Sequence, residues 1–212
     1  MQAGYNGGLS TFRIENLSDS IFSIVMTILI LGIKVPSVHG KNVSALLLRE
    51  LSSQWPNFFC YALSFVVLGI FWISHHNQFH YIKGSDRILL WLNIFFLMFV
   101  SLIPFSAQLF AGHPWAIFAI GVYGANLICA SLLLYLHWCY AADHHRLVAS
   151  DIDPELVLLA KRRILFPSLF YAAAILAAFF HPALSFLLYT LAPILFILPS
   201  RIDRHWEKTA SA

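Results

Sequence analysis

The chain has 212 residues, of which 59% are hydrophobic and 11% charged, and its mean hydropathy is +0.75. A soluble domain carries about 25% charged residues, so the composition excludes an ordinary soluble protein and points to a polytopic helical membrane protein. The net charge of +3 is modest and divided among the segments between apolar runs, which argues against a nucleic-acid partner.

Six runs reach or approach bilayer-spanning length, at about 13–34, 57–80, 87–110, 114–141, 164–181 and 183–199. The expected fold is a single all-α domain over residues 1–212 with six transmembrane helices. No secretory signal is expected, because the first twelve residues lack a basic stretch and no small-residue cleavage site follows the first run. That first run opens on Arg13, Glu15, Ser18 and Asp19 and then turns almost purely aliphatic, to close on Lys34 and Pro36. An aspartate inside such a helix is costly and needs partners or a role.

On a helical wheel Ile24, Ile28 and Leu31 fall within about 60° of one another, with Leu17 on the same side. Glu15, Asp19, Ser23 and Thr27 form a second, polar stripe, which starts opposite the aliphatic one and drifts toward it. Two readings fit. The aliphatic stripe faces lipid while the polar stripe bonds to neighbouring helices, or the helix lines a path with the aliphatic stripe as its constriction.

Residues 41–53 place Val43, Leu46, Leu47 and Leu51 on one face, which predicts a short interfacial or loop helix. The second spanning run ends in a histidine cluster, His75, His76 and His80, with Trp72 one turn before it. His76 and His80 are four apart, as helix-borne metal ligands are. Asp143, His144 and His145 end the fourth run on the same side of the membrane. A histidine-rich membrane metalloenzyme is therefore an alternative, weakened by the absence of an HxxHH box and by few nearby carboxylates. No metal or other cofactor is expected. Asn93, in the third run, stands at the level of Asp19 and His76, so a network of Asp19, Ser18, His75 or His76, Trp72 and Asn93 is geometrically reasonable; a buried asparagine needs partners.

Trp91, Trp115, Trp138 and Trp206 near run ends read as an interfacial belt. Cys60, Cys129 and Cys139 lie within apolar runs and read as packing residues. Residues 150–163 predict a separate capped helix, with Asp153 as N-cap, Pro154 in the first turn and Lys161, Arg162 and Arg163 at the basic end. The fifth and sixth runs hinge on His181-Pro182 as a tight hairpin.

With six spans, one side of the membrane holds ten lysines and arginines (Arg13, Lys83, Arg87, Arg146, Lys161, Arg162, Arg163, Arg201, Arg204, Lys208) and the other three (Lys34, Lys41, Arg49). The positive-inside rule then puts both termini in the cytoplasm of a plasma-membrane protein. No TVGYG-like filter, P-loop, GxSxG or GxGxxG occurs, and the fourth run has no arginine ladder.

Arg13-Ile-Glu-Asn-Leu17-Ser18-Asp19 resembles the RxxxFSD signature of the transmembrane protein 175 family of endosomal and lysosomal potassium channels, which has single-copy bacterial members. Residues 72–82 and 87–105 look like the end of that family's second helix and its third helix. Leu17 departs from the usual Phe. The resemblance implies a K⁺-permeable channel and not an enzyme, a homotetramer in membrane lipid with four first helices around a pore. It implies a constriction at five, nine and twelve positions past the motif aspartate, here Ile24, Ile28 and Leu31. The flanking hydroxyls would be Ser23 and Thr27, and Arg13, Ser18 and Asp19 would be structural supports. A proton-conducting channel or transporter is the second alternative.

Overall fold

A computed structural model describes residues 11–150 and 152–197. They form seven α-helices: α1 (Thr11–Ile28), α2 (Val43–Ser53), α3 (Trp55–Tyr81), α4 (Arg87–Gly112), α5 (Ile117–Ala142), α6 (Pro154–Ala178) and α7 (Pro182–Ile197). α1 tightens into a 3-10 turn over Leu29–Gly32. Four segments are long and apolar enough to cross a membrane: Thr11–Gly32, Trp55–Tyr81, Arg87–Gly112 and Ile117–His145. α6 carries Lys161, Arg162 and Arg163 in its interior, and α7 is described over 16 residues. The predicted sixth run extends to 199, and Arg201, Arg204, Trp206 and Lys208 also lie outside the described residues.

α5 packs lengthwise between α4 and α6, α7 packs on α6, and α1 lies across α3 and α4. Val67, Leu68, Phe96, Val100, Ile120 and Leu127 are fully buried at these seams. Lipid offers no hydrogen bonds, so polar groups inside the bundle must find each other. Ser64 and Tyr123 hydroxyls meet at 3.0 Å, Tyr189 Oη donates to the Ile120 carbonyl at 2.8 Å, and Ser185 Oγ donates to the Ala174 carbonyl at 2.7 Å. Small residues let these helices approach: a β-carbon on Gly124 would collide with the Tyr189 hydroxyl and lie 2.8 Å from Ile175 Cγ1.

The α3–α4 and α5–α6 connections lie together at one end. Ile82 pairs with Val148 as an isolated bridge, and the Lys83 amide donates to the Leu147 carbonyl at 2.8 Å. Asp86 caps α4 by accepting from the Ile88 and Leu89 amides, and its other carboxylate oxygen accepts from the Tyr140 hydroxyl. Arg146 donates to that same hydroxyl at 3.2 Å. This contact raises the Arg146 pKa further above its ordinary value.

Two features differ from the sequence expectation. The predicted helix at 150–163 and the predicted span at 164–181 are one continuous helix, Pro154–Ala178. Its start is as expected, with Asp153 Oδ1 accepting from the Glu155 amide at 2.8 Å. Lysine and arginine are good helix formers, however, and nothing at Lys161–Arg163 breaks the backbone, so the charges that suggested an end are interior. Trp138 does not belong to an interfacial belt: it is buried, and its Nε1 donates to the Val157 carbonyl at 3.3 Å. The short helix forms at Val43–Ser53 with Asn42 as N-cap, and it buries none of its side chains within the protomer.

Candidate functional site

α1 divides into three faces. Ile14, Ser18, Phe22, Val25 and Leu29 recur at steps of three and four and are buried; they form the strip that seats the helix on α3 and α4. The polar stripe runs beside this strip. The aliphatic stripe lies on the other side of it and is largely uncovered within the protomer, with Ile24 57%, Ile28 42% and Leu31 74% exposed. Ser23 and Thr27 are exposed too. Ser23 Oγ donates to the Asp19 carbonyl at 2.8 Å, and Thr27 Oγ1 to the Ser23 and Ile24 carbonyls at 2.9 and 2.8 Å. Both hydroxyl protons therefore point into their own helix, leaving oxygen lone pairs as acceptors.

The structure brings Ser18, His75 and Asn93 into one buried triad. His75 Nε2 lies 2.8 Å from Asn93 Oδ1 and 3.4 Å from Ser18 Oγ. Asn93 Nδ2 donates to Ser18 Oγ at 3.3 Å, and Ser18 Oγ donates to the Ile14 carbonyl at 2.9 Å. One proton arrangement satisfies all of these: His75 Nε2–H to Asn93, the Asn93 amide to Ser18, and the Ser18 hydroxyl to its own helix. α1, α3 and α4 are thereby tied together at one level. Phe96 stacks on His75 at 5.7 Å and 9°, and Phe22 contacts both rings.

Asp19 sits at the surface edge of the same region and accepts from Trp72 Nε1 at 2.7 Å. His76 lies on the Trp72 ring, centroids 5.7 Å apart. Arg13 is exposed. The predicted group of Asp19, Ser18, His75, Trp72 and Asn93 therefore forms two linked contacts, one buried and one peripheral. His75 belongs to it through hydrogen bonds, and His76 through its stack.

His75 points inward while His76 and His80 are exposed. His144 and His145 occupy a turn with φ of 46° and 55°, the left-handed region. Among the described residues no group of three or more His, Cys, Asp or Glu side chains is placed to hold a metal ion.

Sequence reasoning missed Gln78 and His137. Gln78 Oε1 lies 2.7 Å from His137 Nδ1, while its amide donates to the Leu134 carbonyl at 3.0 Å. The His75 and His137 rings are 5.9 Å apart. Gln78 falls three residues after His75, one turn along the same face, a spacing that could have pointed to it. His137 lies in an apolar stretch, and its partner Gln78 stands on another helix 59 residues away.

A model of the family described as "Endosomal/lysosomal potassium channel TMEM175" matches residues 13–104. A protein named potassium channel from Streptomyces collinus is 32% identical over 171 residues, covering 79% of this chain and 82% of that one. This chain belongs to the TMEM175 family. The crystal structure of a lysosomal potassium-selective channel TMEM175 homolog from Chamaesiphon minutus superposes with a TM-score of 0.77 at 29% identity, covering 89% of this chain and 96% of that one. The Gallus gallus protein named endosomal/lysosomal proton channel TMEM175 is 36% identical over 147 residues, covering 65% of this chain and 29% of that protein. The TMEM175 match contains the whole Ser18–His75–Asn93 triad and the Trp72–Asp19 contact, whereas His137 falls outside it.

Proposed function

We propose that this chain is the subunit of a homotetrameric, K⁺-permeable channel, with six spans, both termini cytoplasmic and four copies of α1 around the conducting axis. The observation that carries the reading is the uncovered aliphatic face of α1. Ile24, Ile28 and Leu31 are left open on a helix whose other apolar strip is packed, so the face is available to meet its symmetry copies. The bacterial relatives, one named a potassium channel and one a potassium-selective channel, support K⁺ as the permeant ion.

In this account the three residues form stacked apolar rings that bar ions by excluding water when narrow and pass them when wider. Ser23 and Thr27 stand beside the rings with free lone pairs, suited to replacing part of a cation's lost hydration. K⁺ sheds water more readily than Na⁺, so a dehydrating constriction favours it. The triad and the Trp72–Asp19 contact are supports that hold α1 at a fixed depth and rotation. The triad faces the packed side of the helix and the Trp72–Asp19 contact its edge, both away from the rings.

The test is Ile24→Asn in planar bilayers. A carboxamide wets the ring, so unitary conductance rises and the K⁺ over Na⁺ permeability ratio falls. Unchanged conductance and ratio would remove the stripe as the gate. Reversal potentials under a proton gradient separate this reading from proton conduction, the activity in the name of the Gallus gallus relative.

A further inference from the structure

The end of α1 opposite the triad meets α4 at a contact that the channel reading leaves unused. Gly32 closes the 3-10 turn directly after Leu31, and the Gln108 side chain occupies the space where a β-carbon at position 32 would point. A β-carbon at position 32 would stand 2.8 Å from Gln108 Cγ and 3.1 Å from Cδ and Nε2. The approach therefore exists because residue 32 is glycine.

Gln108 also stands between two recesses. One is walled by Ile24, Ile28, Ser101 and Phe105, beside the aliphatic face. The other is walled by Leu29, Asn57 and Tyr61, at the end of the bundle. Among the described residues the Gln108 carboxamide has no hydrogen-bond partner. Gln108 is exposed within the protomer, and glycine at position 32 leaves the space that its side chain occupies.

We propose that Gln108 is a positioning residue for the constriction: wedged on Gly32, it fixes where Leu31 and Ile28 stand and so sets K⁺ over Na⁺ discrimination. The inference rests on the channel reading. Leu31 is 74% exposed and held by little else in the protomer, and Ile28 joins it through the 3-10 turn. Dehydration at an apolar ring depends steeply on its radius, so a wedge that moves the turn by a fraction of an ångström moves selectivity.

The experiment measures reversal potentials under K⁺/Na⁺ bi-ionic conditions, and unitary conductance, for the reconstituted wild-type channel, Gly32→Ala, Gln108→Ala, Gln108→Met and the Gly32→Ala/Gln108→Ala pair. Gly32→Ala should change the permeability ratio by at least about threefold, because its methyl displaces Gln108, and the pair should return toward wild type as the methyl fills the vacated space, a non-additive result expected of residues in contact. Gln108→Met, which keeps the length and loses the amide, should retain the wild-type ratio. Wild-type ratios in both Gly32→Ala and Gln108→Ala would overturn the proposal. So would independent, additive effects in the pair, or Gln108→Met behaving as Gln108→Ala. Should Gly32→Ala fail to assemble, the two Gln108 variants carry the comparison. A wild-type protein without K⁺ current would remove the channel reading itself, and this inference with it.

Discussion

Ser18 has a small side chain in a large role. Its hydroxyl oxygen accepts a hydrogen bond from Asn93 Nδ2 and donates its own to the Ile14 carbonyl, so a single oxygen joins α1 to α4 while His75 adds α3. Asn93→Leu would remove the short bond to His75 and the amide bond to Ser18, leaving those two buried groups only their long 3.4 Å contact. It should destabilise the protein by about 1–3 kcal/mol, read as a fall in the thermal midpoint in detergent. An unchanged midpoint would mean that the triad holds nothing. Trp72 and Asp19 form a second contact, partly open to the surroundings and accordingly weaker. Trp72→Phe and Asp19→Ala should each lower the midpoint and be non-additive together, with a coupling of about 1 kcal/mol; full additivity would show that the hydrogen bond is not the link. The sequence made these residues legible because each is a polar side chain in an apolar run, and each such side chain must be satisfied. Gln78 and His137 were harder to read: their partnership crosses from α3 to α5, and nothing in linear spacing brings residues 78 and 137 together.

At the scale of the element, the first helix could be read for its uncovered stripes and not for its buried one. Ile24, Ile28 and Leu31 form a uniform aliphatic row and stand out on a wheel. The strip that is packed mixes Ile14, Ser18, Phe22, Val25 and Leu29, and its single serine conceals it. α6 shows the converse. Three consecutive cations looked like a helix end, yet a terminus is made by caps and breakers, and the observed one lies at Ala178, just before the hairpin residues His181 and Pro182. The seam between α5 and α7 relies on Gly124, against which the Tyr189 hydroxyl reaches the Ile120 carbonyl. Gly124→Ala should push Tyr189 off that carbonyl and overpack the seam, costing about 1–3 kcal/mol. Retention of the wild-type thermal midpoint would show that α7 relaxes freely.

The whole molecule is lopsided in a way that one protomer does not explain. Buried polar groups of α3 and α4 meet Ser18 on the packed side of α1, while the aliphatic side of α1 is largely uncovered within the chain. Symmetric closure of four such faces would cover that surface and form a conducting axis in one step, as closed oligomers bury one repeated patch. The purified protein in detergent should then have a mass four times the 24.0 kDa protomer, measured by native mass spectrometry; a monomer would leave the face unexplained. The membrane-helix class and the family were legible from length, hydropathy and the Arg13–Asp19 motif, while four of the six proposed spans are long and apolar enough to cross a membrane among the described residues. In the sequence, the proposed assembly comes from the family resemblance alone, because symmetry acts on surfaces that linear spacing does not display. The central claim, that this membrane protein passes K⁺ through a dehydrating constriction, is tested most directly by cation flux from liposomes holding the purified protein. The account predicts rapid K⁺ efflux and slower Na⁺ efflux under matched gradients. No cation flux, or Na⁺ flux equal to that of K⁺, would contradict it.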